Sequence, residues 1–166
     1  MPFLNDINVL RNISWGRSYL WDMKFEGPTN RPQDAPPSPF NEFFPATEYS
    51  EPRAILDHYE FAAFMSTYSV PKSTKQFELS ITFPDDQANT LSNWLTDWIN
   101  IIILGNGLFV ATLETAYRQL IVHKLNNQRE AISRETHLVI PKGEHVYQGK
   151  SESGLHLYQQ SFIKVG

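Results

Sequence analysis

Gln76 to Phe83 alternates cleanly, Phe77, Leu79, Ile81 and Phe83 against Gln76, Glu78, Ser80 and Thr82. Successive strand side chains point to opposite faces, so this stretch predicts a strand with one apolar and one polar face. Tyr59 to Tyr68 alternates in the same way, Tyr59, Phe61, Ala63, Met65 and Thr67 against Glu60, Ala62, Phe64, Ser66 and Tyr68. Pro71, two lysines and several hydroxyl residues separate the two runs, which predicts one long antiparallel hairpin from Tyr59 to Phe83. Trp15 to Phe25 sets Tyr19, Trp21, Met23 and Phe25 against Ser18, Asp22 and Lys24, a half-buried strand. Leu108–Leu113, Arg118–Leu125, Thr136–Ile140 and Leu155–Val165 read as further strands, with Asn126-Asn127 as a turn and Pro141-Lys142-Gly143 as a stop.

One segment has the helical period. Leu91, Leu95, Trp98, Ile99 and Ile102 recur at i, i+4, i+7, i+8 and i+11, with Trp94 on the border and Asn, Ser, Thr and Asp on the other face. These five apolar residues are expected to pack the helix onto the sheet. Asp85 and Asp86 ahead of it suit its exposed first-turn amides and positive dipole end, and Gly105-Asn106-Gly107 suits its end. Phe3, Ile7 and Leu10 predict a short docking arm over residues 1–14. Residues 27–52 hold seven of the eleven prolines, which a central strand does not tolerate. They read as an extended surface excursion with Phe40, Phe43 and Phe44 as anchors. The order of elements predicts one domain over residues 1–166, α+β but mainly β, with a single helix laid across antiparallel sheet.

Composition narrows the function. At 41% apolar and 13% aromatic residues the chain can build a core without staples, and with no cysteine it has neither disulfides nor thiolate chemistry. A net charge of −4 argues against a protein that coats nucleic acid. No leader pattern and no apolar run of membrane-spanning length is present. The five histidines, at 58, 123, 137, 145 and 156, are not spaced as a metal-binding pair prefers. Gly149-Lys150-Ser151 lacks the glycine a phosphate loop needs five residues earlier, where Glu144 stands. No catalytic residue, cofactor or metal ligand is expected, and Trp94 and Trp98 read as core.

Taken in order, several segments resemble the tail-tube fold of contractile phage tails and related injection systems, most closely their small-ring tube and tube-initiator proteins. They are Arg17-Ser18-Tyr19-Leu20-Trp21-Asp22-Met23-Lys24-Phe25, similar to the family's arm and first strand, and Phe43-Phe44-Pro45-Ala46 after it. Glu78-Leu79-Ser80-Ile81-Thr82-Phe83-Pro84-Asp85-Asp86 running into Trp94-Leu95-Thr96-Asp97-Trp98-Ile99 resembles the strand, acidic turn and Trp-bearing helix. Leu138-Val139-Ile140-Pro141-Lys142-Gly143 and Leu157-Tyr158-Gln159-Gln160-Ser161-Phe162 resemble the ending. The proline-rich stretch 28–39 is additional to that pattern.

The resemblance implies two packed antiparallel sheets with a flanking helix, six copies closing into a homo-hexameric ring, and a channel for DNA in transit. It implies neighbouring tube or baseplate hub rings and the sheath as partners, no membrane, no cofactor, no enzymatic activity, and a place in the virion tail after synthesis in the host cytoplasm. On that reading Glu60, Gln76, Glu78, Ser80 and Thr82 line the channel, a neutral-to-negative wall along which DNA slides. Residues 1–116 carry seven basic and fourteen acidic residues against seven and four over 117–166, an asymmetry that suits side-to-side docking in a ring. The alternative from another class is a β-sandwich binding module for carbohydrate or protein, with Trp15 and Trp21 on a groove. An enzyme has only the histidines in its favour.

Overall fold

Among the described residues, ten strands and two α-helices make up the fold. The computed structural model describes residues 18–74, 77–104, 109–149 and 154–165. The strands are β1 (Trp21–Glu26), β2 (Glu48–Ser50), β3 (Leu56–Ala63), β4 (Ser66–Thr74), β5 (Glu78–Pro84), β6 (Ile103–Leu104), β7 (Phe109–Val110), β8 (Arg118–Leu125), β9 (Ala131–Gln148) and β10 (Leu157–Lys164). Helix α1 (Thr90–Ile102) follows β5, and a single turn, α2 (Leu113–Ala116), precedes β8. Six strands form one antiparallel sheet in the order β1-β8-β9-β10-β5-β2, while β3-β4 and β6-β7 form separate two-stranded sheets. The chain is thus α+β, mainly β, with one main helix. No described helix is long and apolar enough to cross a membrane. The predicted arm 1–14, Trp15, Gln76 and Gly105-Asn106-Gly107 lie outside the described residues.

The large sheet curls until its two edges meet. Trp21 on β1 and Tyr49 on β2 bring their rings to 6.0 Å, and the Phe44 amide donates to the Met23 carbonyl at 2.9 Å. A curled sheet hides its concave side, and that side carries Met23, Phe25, Leu79, Ile81, Phe83, Leu120, Val122, Val139 and Phe162. Phe25 sits among Phe44, Trp94 and Phe162 with ring centroids 4.9, 5.4 and 5.6 Å away. Helix α1 closes this core with Leu91, Trp94, Leu95 and Trp98, all buried, while Ile99 and Ile102 are half-buried. The Trp98 indole N–H donates to the Ala116 carbonyl at 2.7 Å, so the turn before β8 satisfies the one polar atom of that side chain. Asp85 Oδ1 and Oδ2 accept from the Leu91 and Ser92 amides, and Asp86 Oδ1 from the Thr90 amide, at 3.0, 2.8 and 2.8 Å. The acidic pair therefore caps α1 from upstream, across an intervening turn.

Four expectations are corrected. The hairpin turns at Phe64-Met65, not between residues 69 and 75, and β3 pairs with β4 in the register Ala63↔Ser66 to Leu56↔Thr74. Phe64 takes φ 58 there, a conformation that no glycine or asparagine advertises. β5 pairs instead with β10 and β2. β9 does not stop at Pro141-Lys142-Gly143 but runs through it: Gly143 adopts φ 71, and the register with β10 shifts between Gln159 and Ser161, so the glycine makes a bulge in a continuing strand. The stretch 108–113 gives only the short β7, followed by α2.

The proline-rich segment is pinned to the core. A 3-10 turn, Pro32–Asp34, places Asp34 against Arg118, whose side chain is 1% exposed. The Asp34 carbonyl accepts from the Trp94 indole at 3.1 Å. Phe44 is fully buried and Phe40 half-buried, whereas Phe43 is exposed.

Candidate functional site

Alternation in β5 sends Leu79, Ile81 and Phe83 inward and leaves Glu78, Ser80 and Thr82 on the convex face. Gln159 and Ser161 of β10 stand opposite Thr82 and Ser80 and continue that face. The Gln159 amide donates to Ser80 Oγ at 3.3 Å, and Lys142 Nζ donates to Glu78 Oε2 at 2.7 Å. Farther round, His123 Nδ1 lies 2.9 Å from Asp22 Oδ1, and Lys24 pairs with Glu26. The face is polar with both charge signs interspersed. Of the residues expected to line one wall, Glu78, Ser80 and Thr82 share this face, Glu60 stands on β3 in a separate sheet, and Gln76 is outside the described residues. Trp21 borders an open groove of about 600 Å³ with Thr47, Tyr49, Ser80 and Thr82. Its ring leans on Tyr49 at an interplanar angle of 40°.

The β3-β4 hairpin packs chiefly on itself. Phe61 stacks on Tyr68 at 5.7 Å, and Lys72 Nζ lies 4.5 Å over the Tyr59 ring. Phe64 and Met65 at its tip are fully exposed, and Tyr59, Phe61, Tyr68 and Val70 are each about half exposed. Water does not reward that surface, and a two-stranded ribbon alone is marginally stable.

A third feature lies on the inner side of the curled sheet, where Glu51 just past β2 reaches over β9. The Tyr49 hydroxyl donates to Glu51 Oε2, and burial together with that acceptor holds the phenol above its ordinary range. Arg53 Nη1 donates to both oxygens of Glu135, at 2.7 and 2.9 Å, which with its charge holds Glu135 below the ordinary carboxylate value. Lys124 approaches Glu135 at 3.4 Å and Lys164 approaches Glu51 at 3.3 Å. His137 Nε2 stands 3.3 Å from Glu51 Oε1 and 3.6 Å from Glu135 Oε2. Burial lowers the His137 pKa, with Glu51 opposing. Histidine spacing alone does not reveal this cluster. The signal was Glu135-Thr136-His137, two ligand-type side chains on one face of a strand, completed by a residue 84 positions from Glu135 that only the curl brings near.

No protein-family model and no curated protein matches the chain. Solved structures do. The chain superposes on the tube-terminating cap of the anti-feeding prophage with a TM-score of 0.60 at 12% identity, covering 92% of this chain and 89% of that one. It superposes on the sheath/tube terminator of the extracellular contractile injection system PVC at 0.62 and 12%, covering 92% and 94%. A protein of the anti-feeding prophage baseplate gives 0.56 and 11%, covering 93% and 94%. The fold is tail-tube-related. At such identities the likeness is one of architecture, spread over nine-tenths of the chain.

Proposed function

We propose that this protein is a structural subunit of a contractile-tail particle: a homo-hexameric ring at an end of the tail tube, stacked on tube, baseplate or sheath components, with no catalytic role. The observation that carries this reading is the β3-β4 hairpin, a ribbon whose exposed aromatics and open edges need a neighbour. The tail-tube-related fold agrees with it, since the superposed proteins are tube caps, terminators and baseplate components. In such a ring each side chain is repeated by symmetry, and Glu78, Ser80 and Thr82 face a channel through which DNA passes. The paired charges of that face give phosphate little to grip.

The test is the double variant Phe64→Asp, Met65→Asp. These side chains touch little of their own subunit, so the fold keeps its melting temperature while ring formation fails in electron micrographs. Rings that form as readily in the variant overturn the role of the hairpin.

A further inference from the structure

Among the described residues, Glu51, Glu135 and His137 bring three ligand atoms within 4.8 Å of one another. The His137 side chain is 7% exposed and that of Glu51 5%, and His137 Nε2 has no hydrogen-bond partner although it points between two carboxylates. Buried polar atoms are nearly always satisfied, so a nitrogen left in an acidic cleft asks what completes it. We propose that the three side chains form a binding site for one divalent transition-metal ion, zinc being the best match.

The spacing supports an ion. Zinc bonds nitrogen and oxygen at about 2.0–2.1 Å, which at the tetrahedral angle sets its ligands about 3.3–3.4 Å apart. The observed His137–Glu51 and His137–Glu135 separations are 3.3 and 3.6 Å, so two edges of that tetrahedron already stand close to their final length. One imidazole with two carboxylates suits zinc or its first-row neighbours better than calcium or magnesium, which take oxygen ligands alone. A cavity of about 280 Å³ bordered by Trp21, Glu51, Arg53 and Lys124 lies on the Glu51 side of the cluster. The Tyr49 hydroxyl orients Glu51 through the oxygen that does not face His137. A bound ion would clip the segment after β2 to β9, across the seam where the sheet edges meet.

Three cations oppose the ion. Arg53 and Lys124 hold Glu135, and Lys164 reaches Glu51. The ion must displace Arg53 from Glu135, and Arg53 is more than half exposed and free to swing into water. Removing its charge therefore strengthens metal binding, a result that a cluster serving only as an ion-pair network does not give.

The experiment is calorimetric titration of the chelator-treated full chain with zinc chloride, with thermal melting alongside. The expected result is one ion per chain, a melting temperature that rises with zinc, and loss of saturable binding in His137→Gln, which removes the only nitrogen ligand of the three. Arg53→Gln tightens binding roughly three- to tenfold by removing a competing unit charge. Absence of saturable binding, stoichiometric binding unaltered by His137→Gln, or affinity in Arg53→Gln no higher than in the natural chain each overturns the proposal. Should His137→Gln not fold, the Arg53→Gln titration decides by itself.

Discussion

Arg118 Nη2 lies 3.2 Å from Asp34 Oδ2, an ion pair that joins the proline-rich segment to the first residue of a central strand. Arg118 also donates to the Thr115 and Tyr117 carbonyls at 2.9 Å each and sits 5.2 Å from the Trp98 ring. Burial lowers the guanidinium pKa, and the Asp34 charge opposes that shift. Removing Asp34 leaves a charge in the core without its counter-ion, so Asp34→Ala costs about 3–5 kcal/mol in urea unfolding. Arg118→Met in that background recovers much of the loss, because no buried charge then remains. An Asp34→Ala chain as stable as the natural one contradicts the pinning of residues 27–52.

Trp98 is the second keystone. Trp98→Ala costs about 3–5 kcal/mol, through the cavity and the orphaned Ala116 carbonyl. Trp98→Phe retains most of the packing and loses about 1 kcal/mol for the hydrogen bond. Thermal unfolding of both separates the contributions.

The sequence showed what is periodic and local. β5 and α1 were legible because Phe77 to Phe83 and Leu91 to Ile102 each repeat at one period, and Asp85 and Asp86 announced the cap. The turn at Phe64-Met65 was not, since alternation continues across it with no glycine, proline or asparagine. Gly143 read as a stop because a bulge and a terminus share the same residue types. Arg118 opens a predicted strand with nothing local to announce its burial, which the long-range contact with Asp34 explains. The Glu51, Glu135 and His137 cluster depends on the sheet's curl, which no local pattern encodes.

His145 makes stability pH-dependent. Its Nε2 lies 2.9 Å from Ser92 Oγ, its ring stacks on Tyr158 at 5.0 Å, and burial lowers its pKa from 6.5 against the opposing influence of Gln160 and Asp85. A depressed histidine pKa means that below 6.5 the unfolded chain takes up a proton the folded chain refuses, so stability present above 6.5 is lost as pH falls through that value. His137 shifts in the same direction and adds to the slope. Melting curves between neutral and mildly acidic pH show this loss, and His145→Gln makes it shallower.

The channel reading predicts a salt-dependent effect. Glu78→Lys places a second cation beside Lys142 on the convex face, and six copies multiply it. Particles still assemble, DNA release slows, and the slowing shrinks as salt screens the added charge. Unchanged release at low salt contradicts the placement of Glu78 in a channel wall.

The account rests on assembly into a ring, which analytical ultracentrifugation over a wide concentration range, followed by electron microscopy of the largest species, measures directly. It predicts closed six-fold rings, with the Phe64→Asp, Met65→Asp variant remaining at the 19.2 kDa of one chain. A natural chain that stays at that mass at every concentration, and forms no ring when mixed with tube or baseplate components, contradicts it.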